Sequence, residues 1–75
     1  MIKFTLKDTL DDYDITGYQL SVESKVRNNT IYNYMNNEAK NIKIAVLGDI
    51  IKALRKLTKD NTIDIEHVFI YEEAN

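Results

Sequence analysis

Ile15-Thr16-Gly17-Tyr18-Gln19-Leu20-Ser21-Val22-Glu23-Ser24-Lys25-Val26-Arg27-Asn28-Asn29-Thr30-Ile31-Tyr32-Asn33-Tyr34-Met35-Asn36 is the stretch from which the rest of the chain can be placed. Thr16 followed three residues later by Gln19 is a capping box. The threonine hydroxyl accepts from the backbone N–H of the third helical residue, and the glutamine side chain reaches back to the threonine N–H. A short helix therefore opens at Thr16, with Leu20 pointing inward, and yields around Ser24-Lys25. Val26 is an apolar bridge into another short helix, roughly 27–35, which buries Ile31 and Tyr34 on one side. Asn36-Asn37 ends it, because Asn tolerates the left-handed conformation that helix C-termini often need. Residues 16–35 thus read as two helices joined by a tight turn.

Upstream, Thr5 can cap a first helix, with Asp8 at its third position in the role of a capping-box partner. Leu6 and Leu10 then fall on one face, and the helix ends near Tyr13-Asp14. Tyr13 and Tyr18 are expected to be partly buried packing residues. Downstream of a polar loop, Ile44, Leu47, Ile50, Ile51 and Leu54 follow helical spacing closely and predict a longer apolar-faced helix despite Gly48. The end has two readings. Residues 62–69 can form a short capped helix followed by an extended tail, or Val68-Phe69-Ile70-Tyr71 can form a strand pairing with Ile2-Lys3-Phe4. There is no proline, linker, repeat or low-complexity tract. The expected fold is an all-α, compact four- to five-helix domain over residues 1–75, with short extended segments at the termini as the variant.

With 75 residues and no cysteine, the chain has neither disulfides nor a Cys-based zinc site to supplement its core. A chain this short buries only ~60% of the surface that its unfolded form exposes, so the margin of stability is thin. No apolar run approaches the ~20 residues that span a bilayer, and Met1-Ile2-Lys3-Phe4 lacks a signal peptide's apolar region. A cytoplasmic protein is the expectation, without a membrane partner. The net charge is −2, which on its face argues against a nucleic-acid partner. Its distribution matters more. Lys25, Arg27, Lys40 and Lys43 stand against only Glu38 in residues 25–43, while the segments on either side are acidic. Phosphate affinity needs local positive potential on the contacting face.

The residues Ile15-Thr16, Gln19-Leu20-Ser21, Val26, Thr30-Ile31, Tyr34 and Asn36 together resemble the phage-repressor (Cro/repressor-type, XRE) helix-turn-helix family. The resemblance extends from Phe4-Thr5-Leu6-Lys7 to Ile51-Lys52-Ala53-Leu54, about two thirds of the chain. Three positions differ from the family's usual pattern. The turn is normally glycine, which accepts a positive φ, and here is Lys25. The residue before it is usually apolar and here is Ser24, and the cap of the next helix is commonly Ser or Thr where this chain has Arg27.

The resemblance implies a DNA-binding domain that dimerises on operator DNA, in the nucleoid, as a repressor of a phage or mobile element. Its second helix would enter the major groove with its N-terminal half against the bases. On that footing Asn28, Asn29, Tyr32 and Asn33 are the base-reading candidates. Asn can satisfy adenine N6 and N7 together, so a row of Asn favours an A·T-containing operator. Phosphate-contact candidates are Lys25, Arg27, Asn36, Lys40 and Lys43, with the backbone N–H groups of Gly17 and Tyr18 at a helix N-terminus. The bland alternative leaves the Asn residues on a solvated surface. Ile65, Val68, Phe69 and Tyr71 are candidates for a homodimer interface, with core packing as the alternative. No cofactor is expected.

The same residues admit other readings. Asp12-Tyr13-Asp14-Ile15-Thr16-Gly17 and Glu23 fit the oxygen-ligand spacing of a calcium loop at 12–23, but Gln19 and Leu20 occupy positions where an apolar residue and an oxygen ligand belong. An enzyme is not expected, since the lone His67 has no nucleophile or metal-ligand partner in spacing and reads as exposed or lightly hydrogen-bonded. A helix-turn-helix domain acting through a regulatory protein partner, as an antitoxin or interaction module, keeps the fold and changes the role.

Overall fold

A computed structural model describes residues 1–73 of the chain. In order the elements are strand β1 (Ile2–Phe4), helices α1 (Leu6–Asp12), α2 (Gly17–Ser24), α3 (Asn28–Met35) and α4 (Ile44–Thr58), a 3-10 turn at Ile65–His67, and strand β2 (Phe69–Tyr71). The helices fall where the sequence pattern puts them. The architecture is mostly helical but not purely all-α, because β1 and β2 pair antiparallel with Ile2 opposite Tyr71, Lys3 opposite Ile70 and Phe4 opposite Phe69. Both readings of the tail are therefore realised in succession, a capped turn and then a strand. Asp64 caps that turn, and the His67 Nδ1 returns to accept the Asp64 N–H at 3.1 Å.

The core is aliphatic, as a cysteine-free chain requires. Leu6, Leu10, Leu20, Ile31, Ile50, Leu54, Ile63 and Val68 are fully enclosed, with Val26, Tyr34 and Ala53 around them. Burying a leucine or isoleucine completely contributes about 1.5–3 kcal/mol. The ribbon is fixed to this core through aromatic contacts. Phe4 stacks on Tyr34 with centroids 5.0 Å apart and meets Phe69 edge-on at 6.4 Å. A two-stranded ribbon of this length has little stability alone, so these contacts hold it.

Four expectations are corrected. Thr5 makes no capping bond to α1; its Oγ1 instead donates to the Glu66 carbonyl at 2.7 Å. That bond is one of three between α1's start and the tail, since the Thr5 N–H donates to the Val68 carbonyl (2.8 Å) and the Thr9 Oγ1 to that of His67 (2.7 Å). Ile44, placed on the apolar side by spacing, is 87% exposed, because it is the first residue of α4, whose buried part begins only at Ile50. Tyr13 and Tyr18 are exposed rather than packed; the Tyr13 hydroxyl donates to Asp60 at 2.6 Å. Val68, offered for a dimer interface, lies wholly inside the core of the single chain, so core packing is its role.

Candidate nucleic-acid interface

The helix pair is built as its residues dictate. Both halves of the Thr16/Gln19 capping box form, at 2.8 and 3.0 Å. Lys25 takes the left-handed conformation at φ 61° and stops α2. Two serines then stabilise the turn, with the Ser21 Oγ donating to the Val26 carbonyl at 2.6 Å and the Ser24 Oγ accepting the Val26 N–H at 3.2 Å. Ser24, which replaces an apolar residue in the family pattern, is buried and useful there, because its hydroxyl satisfies a backbone group that the turn would otherwise leave unpaired. Arg27 at the start of α3 makes no side-chain cap. Asn36 closes the helix, and the left-handed residue is Asn37, whose Oδ1 accepts the Phe4 N–H at 3.1 Å and so joins α3's end to β1.

Ile31 and Tyr34 fix the inner side of α3. At 3.6 residues per turn, the opposite side carries Asn29, Tyr32, Asn33 and Asn36, with Tyr32 and Asn33 each three or four residues from both Asn29 and Asn36. Asn28, Asn29, Tyr32 and Asn36 are exposed. Asn33 is half-buried and turns toward a cleft that it shares with Thr30, Tyr34, Glu38, Lys40 and Lys43. Of the base-reading candidates, then, three stand on the open surface and one at its edge.

Lys25, Arg27, Lys40 and Lys43 are all exposed, and among the described residues none of them is in an ion pair. Arg27, Lys25 and Lys43 line one concave surface with Thr30, Val46 and Asp49. Two further cations escaped sequence reading. Lys52 and Lys56 of α4 line a neighbouring hollow with Lys25, Ser24, Glu23 and Asp49. They lie in a segment that is acidic on average, and only the packing of α4 against α2 brings them alongside the turn. Their seat on α4's polar face, beside Asp49, was the available signal. Lys56 is already paired with Glu23 at 3.2 Å, which leaves Lys52 as the added free charge.

At the other end of α2, the Gln19 N–H is taken by Thr16 Oγ1 and the Leu20 N–H by the Thr16 carbonyl. The Gly17 and Tyr18 N–H groups precede these and face the helix N-terminus. Gly17 itself is buried, pressed by Tyr32 and Met35 of α3. Residues 12–23 do not form a calcium loop. Gly17 already starts a helix where such a loop would still be extended, and Glu23 is engaged by Lys56. Among the described residues no group of three or more His, Asp or Glu side chains is placed to hold a metal ion, and no helix is long and apolar enough to cross a membrane. Of the dimer candidates, Ile65 and Tyr71 are exposed and Phe69 is half-buried.

Comparison with protein-family models, with curated proteins and with solved structures finds no match to this chain.

Proposed function

We propose that this protein is a sequence-specific, helix-turn-helix DNA-binding regulator that acts as a homodimer, most simply as a repressor of a phage or mobile element. The observation that carries the reading is the outer stripe of α3. A helix that turns Asn28, Asn29 and Asn36 outward, with Asn33 at the edge of the same surface, presents side-chain amides that can pair bidentately with adenine in a major groove. Asn is a mediocre helix former, so several on one short helix work against local stability, and base contact gives them a use. Lys25, Arg27, Lys40 and Lys43, uncommitted to carboxylates, supply phosphate attraction beside the stripe, together with the first N–H groups of α2. Ile65, Phe69 and Tyr71 are the surface offered to a second copy.

Selection of bound sites from random duplex DNA at physiological salt tests this. A two-fold-symmetric A·T-containing site, with half-sites about one helical turn apart, is the expected result. Recovery of no motif would sink the proposal. It would favour the second reading, a helix-turn-helix module or antitoxin working through a protein partner. The observation favouring that reading is the pair Tyr18 and Val22, exposed one turn apart on α2 and bordering Leu57.

A further inference from the structure

We infer that Gly17 is a positioning residue for the reading helix, and that Tyr32 is the side chain it positions rather than a reader of bases. The inference rests on the DNA-binding role proposed above and assigns a specificity-determining part to the missing side chain of Gly17, whose backbone N–H a substitution to alanine leaves in place.

Gly17 is not required by its backbone, since neither glycine in the chain has a positive φ. It is the first residue of α2, is buried, and any side chain there would collide with α3. A Cβ would lie 2.7 Å from Met35 Sδ, 3.0 Å from Tyr32 Cζ and 3.2 Å from Tyr32 Cε2. The two neighbours differ in how they can yield. The methionine sulfur sits on a flexible chain and swings aside at little cost. The tyrosine ring is rigid and moves only as a whole about its two side-chain torsions, or with the helix beneath it. Ile31 and Tyr34 hold that helix from the other side, both in the core.

The Tyr32 ring therefore lies across the gap between α3 and the first turn of α2 and sets their separation. Only 37% of the residue is exposed, because the α2-facing part of the ring is covered. Asn28 and Asn29 stand one turn before Tyr32 on the same helix, so lifting the ring from α2 tilts both amides relative to α2's N-terminus. Discrimination between bases requires an amide to meet two base atoms at once, and a small tilt breaks such a pair. Attraction to phosphate tolerates the same tilt. Gly17 thus controls specificity more than affinity.

The test compares affinity for the wild-type selected site with affinity for random duplex, alongside melting temperature and helix content. Gly17→Ala is expected to lower the specific-to-random ratio about tenfold, the scale of one lost bidentate base contact, with the melting temperature within a few degrees of wild type. Tyr32→Phe, which keeps the ring, should retain the ratio, whereas Tyr32→Ala should lose it. Combining Gly17→Ala with Tyr32→Ala should cost no more than Tyr32→Ala alone, since both act through one contact. An unchanged ratio in Gly17→Ala overturns the inference, as does a parallel fall in stability and in both affinities. If Gly17→Ala fails to fold, the Tyr32 pair decides, and equal losses in Phe and Ala return the hydroxyl to base reading. A wild-type chain with no preferred site overturns the DNA role and this inference together; a wild-type preference that Gly17→Ala leaves intact overturns only the inference.

Discussion

On the proposed function, Lys25 serves two ends that pull against each other. Its φ of 61° is a conformation that glycine adopts freely and other residues adopt at a cost of roughly 1–2 kcal/mol. Glycine would return part of that through the greater freedom of the unfolded chain. The net gain expected for Lys25→Gly is about 1 kcal/mol, or about 4–8 °C in melting temperature at this size. The same change removes a cation beside α3, so on the proposed DNA-binding role affinity should fall while stability rises; affinity unchanged or raised would detach Lys25 from binding. Asn28→Ala and Asn29→Ala should behave differently. Each is expected to weaken the selected site by about 1–3 kcal/mol while barely changing binding to random duplex, and equal losses on both would make these residues phosphate contacts. The positive φ of Lys25 was legible only through the resemblance, which implies a glycine-like turn at that position. The hydrogen bonds of Ser21 and Ser24 were not, since a serine's partner depends on the carbonyl that the fold brings near it.

Among the elements, the helices were readable and their attachments were not. Apolar spacing at Leu6/Leu10, Ile31/Tyr34 and Ile50/Leu54 marks the inner faces before any packing is known. Nothing local marks Thr5 and Thr9 as partners of Glu66, His67 and Val68, some sixty residues away. Thr9 is buried, and Thr9→Val keeps its shape while orphaning the His67 carbonyl. A loss of about 1–3 kcal/mol is expected in chemical unfolding; a neutral result would mean that water replaces the bond. The junction between α1 and the segment after α4 is held by Asp60, which accepts from Tyr13 and from the Thr62 hydroxyl and N–H. The Thr62 hydroxyl first, then Tyr13 and the Thr62 N–H, lower its carboxyl to about 2. A carboxyl held below its unfolded value stabilises the fold above that unfolded value and ceases to do so as pH falls through the folded one. The melting temperature should therefore decline between about pH 4 and pH 2, and Asp60→Asn should flatten that decline.

At the scale of the whole molecule, where the charges lie matters more than their total. A chain of net charge −2 gathers Lys25, Arg27, Lys40, Lys43 and Lys52 around the turn and the α3–α4 side, where they outnumber Glu38 and Asp49, while Asp11, Asp12 and Asp14 lie at α1's end. If the cations meet phosphates, affinity for duplex should fall steeply with salt, with a log–log slope of about −0.9 for each phosphate neutralised. A Lys43→Ala variant should lower that slope by about 1. A slope near zero in the wild type would mean that the basic face does not engage DNA. The positive stretch from Lys25 to Lys43 could be read directly along the chain. Lys52 could not, because its membership follows from α4 lying against α2. The sheet was only half legible for the same reason, since its two strands come from opposite ends of the chain and neither has a turn to announce its partner.

That closure sets an order in time. The bonds that tie α1 and β1 to the tail join residues 58, 61 and 71 positions apart, whereas the α2–α3 pair is made within about twenty residues. Loop-closure entropy makes contacts of long separation slow to form and early to open. The helix pair should therefore be assembled before the ends meet, and the ends should part first in the folded protein. In native-state hydrogen exchange, the amides of Thr5 and Glu72 should exchange through a smaller opening than those of Leu20 and Ile31. The molecule would then fold like a bracelet whose clasp is fastened last, with α2 and α3 already in place while the clasp is still open.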